Sequence, residues 1–224
     1  MILSKSGLVY ETRLESFELG EVTIELESLA DIDKTIDDLF GIYQREGRTD
    51  LFEEMCPYFG TLWPAGKVLA LYLADGNLRN ELTSESRILE IGCGLALPSL
   101  FLSKIGQTVE ATDMHPDVPC FLDKNRTRNG VTGPAFLSLD WRDPPGRQWD
   151  LILASDVLYD KIQPKAVLQF LKSALAPEGR CLLADPGRSY FQGFLEEAIK
   201  SGFRVKTEGL FGVLIGELAR DVVL

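Results

Sequence analysis

The pattern of apolar and polar positions after residue 86 alternates between two periods. Short apolar runs are followed by longer segments whose apolar residues recur at helical spacing. The apolar runs cover residues 87–91, 108–112, 135–139, 150–155 and 180–184, and the helical segments cover 98–105, 118–129, 164–175 and 190–201. Such alternation predicts parallel strands joined by crossover helices on both faces of one sheet.

The end of the chain follows a different pattern. Apolar runs at 203–207 and 211–218 are separated by only a few residues, and a connection that short joins antiparallel neighbours. We therefore predict an α/β fold built on a doubly wound, Rossmann-like sheet of seven strands. Five of these strands are parallel, and the last two form an antiparallel terminal hairpin.

The first part of the chain predicts a small unit beside this sheet. Apolar and polar residues alternate over 8–15 and again over 22–27, on either side of Gly20, which predicts a β-hairpin. Apolar residues then recur at helical spacing over 32–40 behind Asp31, a candidate N-cap. The hairpin and this helix together form the predicted N-terminal cap.

A further helix is predicted to begin at Trp63 and Pro64 and to end at Gly76, since proline suits the first turn of a helix. It belongs with the segments that follow it. We therefore assign residues 1–57 to the cap and residues 58–224 to the main domain.

Composition limits the class of protein. A chain of 224 residues with 45% hydrophobic content can bury one main core. No run approaches the roughly 18 consecutive apolar residues of a membrane span, and residues 1–10 lack the pattern of a secretory signal peptide. We expect a soluble, cytoplasmic protein that does not bind a membrane.

The four cysteines are widely scattered and form no C-x-x-C pair, and the chain has a single histidine. This pattern favours reduced, mostly buried thiols over a disulfide framework, and we expect no metal site. The cysteines are Cys56, Cys93, Cys120 and Cys181.

The net charge of −11 argues against a nucleic-acid partner, because binding to phosphates needs a basic surface. Residues 1–60 carry most of the imbalance, with 14 Asp and Glu against 5 Lys and Arg. This acidic segment is either an ordinary solvated surface or a lid that attracts a basic partner.

The stretch LEIGCGLALP, residues 89–98, predicts a nucleoside site. Gly92 and Gly94 directly follow the first parallel strand, where an open α/β sheet binds ligands, and glycine lets a ligand approach the backbone. Asp113 ends the next strand 21 residues after Gly92, in a position where a carboxylate accepts hydrogen bonds from ribose hydroxyls.

Two residues indicate which nucleoside binds there. A dinucleotide site has a third glycine at position 97, where this chain has leucine. Glu90 would repel a pyrophosphate but would suit a ligand with a cationic amine and a sulfonium, which describes S-adenosylmethionine. The terminal hairpin also argues against an NAD-linked oxidoreductase.

Five segments between about residues 58 and 188 carry a family resemblance. They resemble the seven-β-strand protein lysine methyltransferases of the methyltransferase-like group, which includes the enzymes that modify the electron transfer flavoprotein β subunit. The D-x-x-Y sequence from Asp156 to Tyr159 is the most specific element, whereas the glycine turn is common to methyltransferases of this fold. The segments are FGTLWPAGKVLALYL, LEIGCGLALPSL, TDMHPD, LDWRDPP and SDVLYD.

The resemblance implies S-adenosylmethionine as the cofactor and a set of residues that contact it. For two of these residues, Trp63 and Trp141, ordinary packing is the alternative. The implied contacts are Gly92, Cys93 and Gly94 along the methionine part, Glu90 near its amine, Asp113 at the ribose, Asp140, Trp141 and Met114 at the adenine, Trp63 closing over the methionine end, and Ser155.

The resemblance also places Asp156 and Tyr159 at the acceptor. A carboxylate favours the charged form of a nearby lysine, so Asp156 would draw in and align the lysine while water removes its proton. Tyr159 would wall the channel and fix the nitrogen. The alternative is a structural aspartate beside a packed tyrosine. His115 is expected at the surface, and residues 185–188 are expected to form a plain loop that could shape the channel.

The acceptor is predicted to be a lysine on a protein, and the enzyme is predicted to be a monomer. Enzymes that methylate planar amines or amides carry an N/D-P-P-aromatic motif after the fourth parallel strand, where this chain has SDVLY. Residues 143–145 precede that strand and predict a turn. A small-molecule N-methyltransferase and a non-catalytic cofactor-binding module remain the alternatives.

Overall fold

The N-terminal strands form two separate antiparallel pairs in the structure, a computed structural model that describes residues 2–3, 8–76, 82–144 and 146–220. Strand β1 (Ile2–Leu3) pairs with β2 (Val9–Tyr10), and β3 (Thr12–Leu19) pairs with β4 (Val22–Leu29). The predicted strand over 8–15 is therefore divided, because its first residues pair with β1. The β3–β4 hairpin turns at Gly20, as predicted.

Helix α1 (Ile32–Glu46) follows directly. The Asp31 side chain accepts a hydrogen bond from the backbone N–H of Lys34, as expected of an N-cap. The helix extends beyond the predicted end at residue 40, because Leu39 and Tyr43 lie one turn apart and are both buried. Two short 3₁₀ turns, at 49–51 and 58–60, lead to α2 (Pro64–Ala74).

The rest of the chain builds the predicted seven-stranded sheet. Its strands lie in the order β10–β11–β9–β8–β5–β6–β7, with β10 and β11 antiparallel at one end. The elements are β5 (Ile88–Ile91), α3 (Leu97–Lys104), β6 (Val109–Asp113), α4 (Val118–Asn129), β7 (Ala135–Ser138), β8 (Trp149–Ser155), α5 (Gln163–Ala174), β9 (Leu175–Asp185), α6 (Ser189–Lys200), β10 (Phe203–Leu210) and β11 (Val213–Arg220).

Strand β9 begins five residues earlier than the run 180–184 predicts. Leu175 pairs with Trp149, and after a register shift Arg180 pairs with Leu151. The strand starts early because residues before the apolar run also pair with β8, and the apolar pattern of the sequence does not indicate that pairing.

Strand β5 lies at the centre of the parallel part, with β6 on one side and β8 on the other. The chain therefore leaves β5 in one direction and later returns to its other edge. An open α/β sheet has its ligand crevice at such a switch point, beyond the carboxyl ends of the strands.

The N-terminal cap shares the main hydrophobic core. Tyr10, Ile24 and Leu26 are buried in the same cluster as residues of α2, α3 and α4. A second cluster lies on the opposite face of the sheet, under α5 and α6. The division at residue 57 remains a prediction. Among the described residues, no helix combines the length and apolar character needed to cross a membrane.

Candidate functional site

The carboxyl ends of the parallel strands bring the predicted site residues to one edge of the sheet. Gly92 follows β5, and Asp113 is the last residue of β6. Asp156 follows β8, which lies on the other side of β5. Residues that are distant in the sequence therefore surround the switch point.

The glycine turn needs glycine at both positions. Gly92 and Gly94 have φ values of 59° and 50°, in the region that side chains disfavour. A Cβ on Gly92 would lie 3.0 Å from Val157 Cγ1 and 3.3 Å from Trp141 Cζ3. A Cβ on Gly94 would lie 3.0 Å from the carbonyl oxygen of Phe59. The turn is therefore closely surrounded by the loops that follow β7 and β8 and by the segment before α2.

Glu90 is almost fully buried, with 1% of its surface exposed. Its Oε2 accepts hydrogen bonds from the backbone N–H and the hydroxyl of Ser99. Its Oε1 is buried and has no hydrogen-bond partner among the described residues. Burial raises the pKa of Glu90 to about 8, against the opposing effect of the Ser99 hydrogen bonds. A cationic group would satisfy this carboxylate.

Asp113 connects β6 to the glycine turn. Its Oδ2 accepts a hydrogen bond from Gly94 N–H at 3.0 Å, and its Oδ1 accepts one from His115 N–H at 2.9 Å. Burial raises the pKa of Asp113, although these hydrogen bonds oppose the rise. Each carboxylate oxygen has a second lone pair, so the fixed carboxylate can also accept from a ligand hydroxyl. Cys93 lies between the glycines and is buried.

Trp141 stands beside the glycine turn and is held there by a residue that the sequence did not indicate. Its indole N–H donates to Gln163 Oε1 at 2.8 Å. Gln163 Nε2 in turn donates to the hydroxyl of Tyr159 at 3.3 Å. The first residue of α5 thus connects the predicted adenine contact with the predicted acceptor contact. Its only sequence signal is its position, four residues after Tyr159.

Asp140 lies beside this tryptophan but is paired with another residue. Both carboxylate oxygens accept from Arg142 Nε, at 2.9 and 2.8 Å. The Arg142 hydrogen bonds lower the pKa of Asp140, so its carboxylate stays charged. It is partly exposed and keeps free lone pairs for an exocyclic amine. The turn predicted at 143–145 is described only to residue 144; Pro145 lies outside the described residues.

Three further predicted contacts lie at the start of α2, at the end of β8 and directly after β6. Trp63 is the N-cap residue of α2, and its indole N–H donates to Tyr58 O at 3.0 Å. Ser155 packs against the first turn of α2, with Oγ 3.3 Å from the place of a Cβ on Gly66. Met114 is 54% exposed and is therefore available to a ligand at the surface.

Asp156 joins three elements at the mouth of the site. Its φ of 59° is unusual for a residue with a side chain and is stabilised by the local contacts. Its backbone N–H donates to Ala184 O, and its Oδ2 accepts from Ala65 N–H at 3.3 Å in the first turn of α2. Its Oδ1 lies 2.6 Å from Arg188 Nη1. Burial raises the pKa of Asp156, and Arg188 opposes that rise.

Tyr159 lies three residues further along and is 57% exposed. Partial burial raises the pKa of Tyr159, and the nearby carboxylates of Asp160 and Asp113 add to the rise. The phenol therefore stays protonated at neutral pH and can donate one hydrogen bond while it accepts one from Gln163.

Two expectations for this edge are wrong. His115 is buried rather than at the surface, because it packs under the ring of Phe59 at 4.2 Å. Its Nδ1 accepts from Asp117 N–H and its Nε2 donates to Met55 O, and burial lowers its pKa. The loop 185–188 is not a plain loop either, because Arg188 reaches the carboxylate of Asp156.

Residues 51–198 match the profile of a protein family described as lysine methyltransferase. The chain is 28% identical over 138 residues to the electron transfer flavoprotein beta subunit lysine methyltransferase of Danio rerio, covering 61% of this chain and 52% of that protein. It is 30% identical over 115 residues to a histone-arginine methyltransferase of Xenopus laevis, covering 47% of each. The chain thus spans about half the length of these curated relatives.

A solved structure shows the same fold over nearly the whole chain. The 16S rRNA N2 G1207 methyltransferase of T. thermophilus, in complex with AdoMet and guanosine, superposes with a TM-score of 0.62 at 14% identity. The match covers 96% of this chain and 52% of that protein.

The site residues fit S-adenosylmethionine. The unpaired Oε1 of Glu90 suits the ammonium of its methionine part, and the two glycines of the turn beside it carry no side chains. Asp113 has a fixed carboxylate of the kind that accepts from ribose hydroxyls, and the Trp141 ring lies beside the glycine turn. The donor set therefore matches a cationic nucleoside.

Proposed function

Because the chain belongs to the lysine methyltransferase family, we propose that it uses S-adenosylmethionine to methylate the side-chain nitrogen of a lysine on a protein. The observation that carries the proposal is the buried Glu90 carboxylate, with one unpaired oxygen, beside a glycine turn at the switch point of the sheet. A cationic nucleoside satisfies that carboxylate, whereas a pyrophosphate would be repelled by it.

The cofactor, when bound, supplies a methyl group on a sulfonium, which is a strong leaving group. The protein's contribution is to hold the donor and acceptor in line, and such positioning supplies much of the acceleration of a displacement. In the proposal, Glu90 and the glycine turn hold the methionine part, Asp113 holds the ribose, and Trp141 stacks on the adenine. Trp63 closes over the methionine end; Cys93, Met114, Asp140 and Ser155 complete the contacts.

The acceptor nitrogen is proposed to enter beside Asp156 and Tyr159. A lysine has a reference pKa near 10.4, so releasing its proton at pH 7 costs about 4.6 kcal/mol. Asp156 aligns the arriving lysine, and water takes the proton. Tyr159, whose hydroxyl is already bonded to Gln163, can fix the nitrogen with its own O–H.

The choice of a protein substrate is supported by the names of the relatives and by the acidic N-terminal segment. Asp33 and Asp37 are exposed on α1 and suit a lysine-bearing surface. If this surface attracts the substrate, added salt should weaken methylation, and replacing both residues with asparagine should reduce that salt dependence. A monomeric state, a cytoplasmic location and the lack of a nucleic-acid partner remain part of the proposal and rest on the sequence.

The central experiment incubates the protein with tritiated S-adenosylmethionine and a cell extract, followed by mass spectrometry of the labelled band. We expect methyl-lysine in one or a few proteins. Trp141→Ala should weaken cofactor binding, whereas Asp156→Ala should keep cofactor binding and slow transfer. The exposed change Glu178→Gln, on the far part of β9, is the matched control and should behave as wild type.

The alternatives give different results in the same experiment. Label on arginine would move the assignment towards the activity named for the Xenopus relative. Label only in the small-molecule fraction would favour a small-molecule N-methyltransferase. Cofactor binding by calorimetry with no labelled product of any kind would favour a non-catalytic binding module.

A further inference from the structure

Arg188 is fixed in the site by the loop that carries it. The residue lies between β9 and α6, and its Nη1 donates a hydrogen bond to Asp185 Oδ2 at 3.1 Å. The other oxygen of Asp185 accepts from the backbone N–H groups of Gly187 and Arg188, at 2.8 and 2.7 Å. Asp185 is fully buried. The guanidinium is therefore held in place from behind, and it faces Asp156.

The contact between Arg188 and Asp156 pairs two opposite charges at a mostly buried position. Nη1 lies 2.6 Å from Asp156 Oδ1, and 9% of the Asp156 side chain is exposed. This oxygen nevertheless accepts no aligned hydrogen bond from any described residue. Oδ1 is itself buried behind this contact, so Arg188 acts on the charge of Asp156.

We propose that Arg188 is a positioning residue for methyl transfer, because it balances the charge of Asp156 so that the acceptor lysine reaches its neutral, reactive form. This inference rests on the proposed function. An unbalanced carboxylate would stabilise the ammonium form of the lysine, which cannot attack the methyl group. With Arg188 in place, Asp156 and Asp185 together leave one net negative charge instead of two.

The other charged groups around Asp156 are few. From α2 it receives the N–H of Ala65, at the positive end of the helix dipole, which also opposes an ammonium. From the segment after β8, Tyr159 faces the site, with Asp160, Asp113 and Arg142 near its hydroxyl. Arg188 is the cation that contacts Asp156 directly in the described part of the chain.

The test is the pH dependence of methylation of the extract protein labelled by the wild type, under saturating cofactor. In Arg188→Met the acidic limb of the rate profile, over which the rate rises with pH, should move to higher pH by about 1 unit. At any fixed pH on that limb the rate should therefore be about tenfold lower. The double variant Asp156→Asn with Arg188→Met should return the limb towards the wild-type position. Arg188→Lys should leave the limb in place, because the charge is kept.

A control variant and the position of the limb separate this role from a structural one. Lys172→Met removes a positive charge from the exposed far end of α5 and should not move the limb. A purely structural role for Arg188 predicts the same loss of rate at every pH with an unmoved limb, and that result overturns the inference. If Arg188→Met fails to fold, Asp156→Asn provides the test. Its acidic limb should move to lower pH, and an unmoved limb in this variant would also contradict the inference.

The outcomes also separate this inference from the proposed function. Absence of any labelled protein with wild type contradicts the proposed function, and the inference then falls with it. Labelling by wild type with an unmoved limb in the variants contradicts only the role of Arg188.

Discussion

Glu90 and Asp156 each keep one buried carboxylate oxygen that accepts no hydrogen bond from a described residue. Buried polar atoms are normally satisfied, so each exception needs a reason. For Glu90 the reason we give is a cationic cofactor, and for Asp156 it is the ion pair with Arg188. At the scale of single residues, two of the four buried unpaired atoms among the described residues thus lie at the site; the other two are Ser103 Oγ and Gln107 Oε1.

The first prediction concerns Glu90 and the pH dependence of stability without ligand. Burial raises its pKa from 4.5 to about 8, so between these values the folded protein holds a proton that the unfolded chain has released. The free energy of unfolding should therefore fall as pH rises from about 5 to 8. In Glu90→Gln this decrease in the free energy of unfolding should be smaller, by an amount on the order of a few kcal/mol.

Denaturant unfolding of both proteins at several pH values measures this difference. Asp113 and Asp156 also have raised pKa values, so the comparison uses the difference between variant and wild type. Equal slopes against pH for both proteins would show that Glu90 is ionised in the folded state at neutral pH.

A second prediction concerns Trp141. Stacking of a base on an aromatic ring is worth about 1–3 kcal/mol, so Trp141→Ala should weaken S-adenosylmethionine binding about 5- to 150-fold. Trp141→Phe keeps a ring and should lose less, although the bond to Gln163 is gone. Calorimetric titration measures both. Equal loss in the two variants would assign the effect to the Gln163 bond, and no loss would leave Trp141 as a packing residue.

At the scale of elements, the β10–β11 hairpin contains a conformation that its sequence does not favour. Leu210 pairs with Val213, so Phe211 and Gly212 form a two-residue turn with φ values of 49° and 79°. Turns with positive φ at both central residues favour Asn-Gly. An aromatic residue at the first position costs free energy, and the ring of Phe211 is 78% exposed.

The third prediction follows from this turn. Phe211→Asn should raise the free energy of unfolding by about 1 kcal/mol, because asparagine tolerates the left-handed conformation and little packing is lost. Denaturant unfolding measures the gain, and Gly212→Ala should lower stability in the same assay. A loss of stability in Phe211→Asn would mean that the exposed ring makes a contact that its accessibility does not reveal.

At the scale of the whole molecule, the N-terminal cap is joined to the sheet through buried polar contacts as well as the shared core. Asn125 on α4 accepts from Glu27 N–H at 2.7 Å and donates to Glu27 O at 3.2 Å. Asn129 makes the same two kinds of bond with Glu25. The β4 backbone is therefore held by side chains of a helix about a hundred residues away.

The fourth prediction is that cap and sheet unfold together. Asn125→Ala should cost about 2 kcal/mol, since it leaves buried groups of the β4 backbone without partners. Far-UV circular dichroism and tryptophan fluorescence should give one coincident transition, and hydrogen exchange should speed up in both β4 and α4. Thr23→Ala, exposed on the same strand, is the control. Two separate transitions would instead make the cap an independent unit.

The sequence by itself determined the alternation of strands and helices, the terminal hairpin, the glycine turn and the capping of α1 by Asp31. Each of these depends on residues close together in the chain, because helical and strand periods and turns are local properties. The parallel and antiparallel directions of the strands followed as well from the length and type of their connections, whereas the order of the strands came from the structure.

Only the tertiary structure decided which side chains meet at the site. The pairing of Arg188 with Asp156, the bridge from Trp141 through Gln163 to Tyr159, and the burial of His115 beneath Phe59 join segments from different elements. Such contacts depend on which strand ends become neighbours and at what register. No local pattern encodes that, so the charge balance around Asp156 becomes visible only when β8, β9 and α2 come together.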